Sequence, residues 1–60
     1  METKKEFDRI VNEYIDDEIV KEQLKELFYD GIRSAIYEID KRKNRELTKE
    51  DRTFLKSIFS

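Results

Sequence analysis

"LFYDGIRSAI", residues 27 to 36, carries at position 31 the only glycine of a chain that has no proline. Inside a helix a glycine costs about 1 kcal/mol relative to alanine, so the stretch has two readings. A break at Asp30-Gly31 gives two shorter helices, whereas a pattern that runs through Gly31 gives one long rod. Val20, Leu24, Leu27 and Phe28 before the glycine, and Ile32, Ala35, Ile36 and Ile39 after it, keep one helical phase. That shared phase predicts a continuous helix over 17–43. Gly31 then lies on the apolar face one turn before Ala35, where it would admit another backbone. The stripe covers about half the helical wheel, broader than a single contact needs.

Outward from this segment, Thr3-Lys4-Lys5-Glu6 has the spacing of a capping box, with hydroxyl and carboxylate each serving the other residue's backbone N–H. It opens a helix over 3–15 whose apolar face is Phe7, Ile10, Val11, Tyr14 and Ile15. Asp16-Asp17 interrupts that pattern and supplies an N-cap for the next helix. Thr48, with Asp51 at the reciprocal position, caps a third helix over 48–59 that presents Phe54, Leu55, Ile58 and Phe59. At ~1.5 Å per residue the long helix spans ~40 Å and the short ones ~20 and ~17 Å. Short loops then fold both short helices back, antiparallel, on the two halves of the long one. The expected fold is all-α, three helices in one small domain over residues 1–60.

So short a chain has a thin stability margin, which disulfides, metals or self-association usually supplement. It contains no cysteine and no histidine, which excludes disulfides and the ordinary zinc, iron and copper sites. It has no Asp-x-Asp-x-Asp-Gly loop and no glycine-rich phosphate loop, so neither a metal nor a nucleotide cofactor is expected. Ser34, Ser57 and Ser60 have no base at helical spacing to activate them, and paired acids such as Asp16/Asp17 sit among charges rather than in an apolar pocket. The expectation is therefore a protein without catalytic activity. The apolar runs are too short for a membrane span, and Met1-Glu2-Thr3 reads as a cytoplasmic start.

Charge is dense and unevenly placed. Residues 1–30 hold ten acids and five bases, residues 31–60 five acids and eight bases. Lys41, Arg42, Lys43 and Arg45 cluster where the long helix ends and its macrodipole is negative, as Asp16, Asp17 and Glu18 do at its positive start. Glu38 precedes Arg42 by four residues and Asp40 precedes Lys43 by three, both pairing distances on a helix. Asn44 then suits a left-handed C-terminal position. Helix-end chemistry thus accounts for the gradient. The alternative assigns Lys41, Arg42, Lys43, Arg45 and Arg52 to DNA phosphates in a small dimeric regulator. Against it, Glu50 and Asp51 open the helix that would read the bases.

Tyr37 lies opposite the apolar stripe, Tyr29 lies at its margin, and Phe59 lies next to the C-terminus. Exposed aromatics of this kind are frequent anchors of protein interfaces. The sequence therefore points to a small module that docks on, and inhibits or regulates, a larger protein through Tyr29, Tyr37 and Phe59. Its Lys-, Glu- and Ile-rich composition is of the type found in small inhibitors from AT-rich bacterial or phage genomes. A homodimer built on the long helix, or a self-assembling structural protein, is the further expectation from the broad stripe.

Overall fold

The computed structural model describes residues 2–59, so the reading of Met1 as a cytoplasmic start, like Ser60, lies outside it. Among the described residues four helices follow one another: α1 (Glu2–Tyr14), α2 (Glu18–Asp30), α3 (Ile32–Arg42) and α4 (Lys49–Phe59). The class is all-α, as expected, but the continuous helix over 17–43 does not form. Gly31, at φ −165° and ψ 66°, separates α2 from α3. Its N–H still donates to the Leu27 carbonyl at 2.7 Å, and its carbonyl accepts from the Ala35 N–H at 3.0 Å. One residue thus closes the first helix and opens the second.

What turns the chain back lies at the far ends of the segment. The Asn44 N–H donates to the Tyr14 carbonyl at 2.8 Å, and its Nδ2 donates to Asp16 Oδ1 at 3.0 Å. In an unbroken rod these flanks would stand ~40 Å apart. Here they are hydrogen-bonded, so α2 and α3 form a closed hairpin within a fold of 25 × 25 × 18 Å. The reason is burial. A straight rod presents its stripe to two short helices and leaves much of it wet. The hairpin turns both halves inward, so that Leu24, Ala35 and Ile39 join Phe7, Ile10, Val11, Tyr14, Ile15 and Leu55 in one core. Each large side chain so buried contributes about 1.5–3 kcal/mol, more than the helical continuity given up at one glycine. The breadth of the stripe is therefore explained within the chain.

Close approach of a second backbone at Gly31 is also not observed. A Cβ there would meet Leu27 Cδ2 at 3.5 Å and Ser34 Cβ at 3.8 Å, which are side-chain contacts of ordinary length. Gly31→Ala is accordingly expected to keep the fold and to change stability by no more than about 1 kcal/mol, in the stabilising direction, because the unfolded chain loses freedom. Urea denaturation measures this. A loss above ~2 kcal/mol would show that the turn needs glycine for a reason other than space.

The helix ends follow the sequence in part. Asp17 Oδ1 accepts from the N–H groups of Ile19 at 2.8 Å and Val20 at 3.1 Å, capping α2. Thr48 Oγ1 accepts from the Asp51 N–H at 3.2 Å, capping α4. Helix α1, by contrast, begins at Glu2, which places Thr3 inside its first turn, and the Glu6 carboxylate takes Arg9 at 2.8 Å instead of closing a box. Asn44 is not left-handed, since no described non-glycine residue has positive φ; its side chain ties two helices together instead. Helix α4 packs on α3 and runs back along it, which brings the Arg33 guanidinium over the Phe59 ring at 5.0 Å. Among the described residues no helix is long and apolar enough to cross a membrane.

Candidate partner-binding groove

With Ala35 and Ile39 facing the core, the neighbouring face of α3 carries Ile36, Tyr37 and Asp40. With Leu55 facing the core, the neighbouring face of α4 carries Arg52, Lys56 and Phe59. The two faces bound a groove of about 350 Å³, to whose lining the connecting loop adds Leu47. Tyr37 is 64% exposed and Phe59 43%. Other hollows, of about 430 to 510 Å³, lie on charged helix faces, beside Arg9 and along Glu18, Glu22 and Glu26. The α3–α4 groove is distinguished by its apolar floor and aromatic walls.

Two of the three aromatic candidates therefore meet at one place. The third does not. Tyr29 is 75% exposed but stands apart, edge-on to Phe28 at 5.3 Å and beneath the Lys4 ammonium at 5.6 Å. The basic candidates scatter. Arg42 pairs with Glu38 at 2.8 Å and Lys43 with Asp40 at 3.0 Å. Arg45 pairs with Glu13 on α1 and lays its guanidinium on the Tyr14 ring at 4.3 Å. Lys41 lies over the Tyr37 ring at 5.5 Å, and Arg52 alone of the five lines the groove. Arg52 also has an acid partner, Glu46 at 3.7 Å, so four of the five cations are paired with acids of their own chain, three of them closely. The Arg42 guanidinium holds the Glu38 carboxyl below the ordinary carboxylate range, chiefly through its hydrogen bond.

A polar cluster outside the groove lining ties α4 to α1. The Tyr14 hydroxyl donates to Asp51 Oδ2 at 2.7 Å and accepts from the Thr48 N–H at 3.1 Å. Asp51 Oδ1 accepts from Arg9 Nη2 at 2.5 Å. Asp51 is only 5% exposed. Burial pushes its carboxyl up, but the Tyr14, Arg9 and Thr48 hydrogen bonds together outweigh this and hold it below its ordinary value. Among the described residues no buried side-chain nitrogen or oxygen lacks a partner. The tyrosine hydroxyl stands where a reciprocal capping carboxylate would otherwise reach, taking the Thr48 N–H itself and freeing Asp51 for Arg9.

Reading the sequence missed this cluster, although one signal for it exists. A tyrosine on a core stripe needs a partner for its hydroxyl when it is buried, and Tyr14 is completely buried. Nothing local in the sequence says that the partner is Asp51.

Among the described residues no grouping of acids could hold a metal ion. Comparison of the chain with protein-family models, with curated proteins and with solved structures finds no match.

Proposed function

We propose that the protein is a non-enzymatic binding module that docks through the α3–α4 groove on a larger protein and inhibits or otherwise regulates it. The observation that carries this reading is the convergence of Tyr37 and Phe59 on the two walls of one apolar groove. Large aromatics at the margins of a hydrophobic depression are the usual anchors of binding energy. The duplex-binding alternative has weaker support, because Arg42, Lys43 and Arg45 are engaged within the chain. Dimerisation along a single long helix loses its geometric basis with the turn at Gly31.

The test compares three baits, the wild-type chain, Tyr37→Ala and Tyr29→Ala, by quantitative affinity purification. Both tyrosines are exposed, so either substitution should alter stability by less than about 0.5 kcal/mol. A partner that binds the groove is expected to be lost with Tyr37→Ala and kept with Tyr29→Ala. For a hot-spot residue the affinity falls by ~2 kcal/mol or more, about thirtyfold. Equal recovery of every protein by all three baits would remove the groove from consideration.

A further inference from the structure

We infer that the groove receives an amphipathic helix whose apolar ridge is edged by acidic side chains; this rests on the docking reading above and names the kind of partner. Shape comes first. The groove lies between two antiparallel helices of 11 residues each, about 16 Å long at 1.5 Å per residue. Such a trough accepts the side-chain ridge of a third helix for two to three turns, through anchors at i, i+3 or i+4, and i+7. Its floor is Ile36, Leu47 and Leu55, three aliphatic side chains suited to an apolar ridge.

Charge sets the edges. Arg33 lies over the ring of Phe59 and Lys41 over that of Tyr37, so both aromatic walls are topped by cations. Arg52 and Lys56 stand beside Phe59 on the α4 wall. The acid nearest Arg52 is Glu46 at 3.7 Å, a residue whose side chain is 86% exposed and gives it little hold. The lining contains one acid, Asp40, and its carboxylate is taken by Lys43. A partner helix with glutamates beside its leucines matches this rim, whereas one edged with lysines meets like charge on both sides.

A second copy of the chain is a poorer occupant. The acidic surface it could offer is that of α2, with Glu18, Glu22 and Glu26, and among the described residues the large hydrophobics exposed on that helix are Ile19 and Tyr29. These two knobs stand ten residues apart, ~15 Å at ~1.5 Å per residue, with Glu22, Gln23 and Glu26 between them, so the middle of a trough floored by aliphatic residues stays unfilled.

The experiment titrates isotopically labelled protein with two synthetic helical peptides that share a leucine ridge. One is edged with glutamate and the other with lysine, and both amide shifts and affinity are followed. The glutamate peptide is expected to bind about tenfold more tightly, the order that a few rim ion pairs supply. Its shifts should centre on α3 and α4, and its advantage should shrink with salt. The charge reversal Arg52→Glu with Lys56→Glu, at two exposed positions, is expected to invert the preference. Equal binding of both peptides in the groove overturns the charge inference and leaves the docking reading standing. Binding of neither, or shifts confined to α1 and α2, overturns both. Sedimentation showing that unliganded copies already fill the groove with one another also overturns the choice of partner.

Discussion

Truncating Tyr14 to alanine is expected to leave the protein largely unfolded at room temperature. The side chain is fully buried and is the largest of the core, and emptying such a site costs about 3–5 kcal/mol. A fold of this length has roughly 3–9 kcal/mol in all, at about 0.05–0.15 kcal/mol per residue. The change also strips a partner from the Thr48 N–H and from the Asp51 carboxylate, both of which the hydroxyl serves. Tyr14→Phe separates the two effects. It keeps the ring under Arg45 and removes only the hydroxyl, for an expected loss of about 1–3 kcal/mol. Circular dichroism with urea titration measures both. A Tyr14→Phe variant as stable as the wild type would mean that the hydroxyl's two hydrogen bonds contribute nothing to holding α4 in place.

The second large effect is expected at Asp51. Asp51→Ala removes the acceptor for Tyr14 and Arg9 and should cost about 1.5–3 kcal/mol, the range for hydrogen bonds to a charged group. The loss falls short of that for an orphaned buried charge, since Arg9 is partly exposed and retains Glu6 and Glu13. The same residue gives the fold a pH dependence whose sign is determined. The folded carboxyl titrates below its unfolded value. Its stabilisation is therefore complete above the unfolded pKa, near 4, and fades as pH falls through the lower folded pKa. Urea midpoints measured from pH 7 downward should decline below about pH 4 in the wild type and decline less in Asp51→Asn. Glu6 is likewise lowered, chiefly by its hydrogen bond to Arg9, but it is an exposed group. Its share should shrink in high salt while that of Asp51 persists. An unchanged acid limb in Asp51→Asn would place the acid sensitivity elsewhere.

Local signals in this chain are strong, and long-range ones are faint. The caps at Asp17 and Thr48, the pairs Glu38–Arg42 and Asp40–Lys43, and the α1 core stripe were all legible, because each depends on residues a few positions apart. The turn at Gly31 was offered by its neighbourhood without being decided there. Apolar residues keep one phase across it, and no proline marks the spot. What decides it is the burial gained when α2 and α3 close, with Asn44 meeting Glu13, Tyr14 and Asp16 across about thirty residues. The site divides in the same way. That Tyr29, Tyr37 and Phe59 are exposed follows from helical phase and chain position. That Tyr37 and Phe59 flank one groove while Tyr29 stands apart follows only once α4 runs back along α3. Arg45 belonged by sequence to a basic run, yet its partner Glu13 lies on another helix.

Without the closing of α2 against α3 neither the core nor the groove exists. Spin labels at two exposed positions, Ile19→Cys and Lys41→Cys, read this directly by pulsed dipolar spectroscopy. A closed hairpin predicts a single short distance within the 25 Å span of the fold. A population centred near ~33 Å, the separation along an unbroken helix at ~1.5 Å per residue, would contradict it.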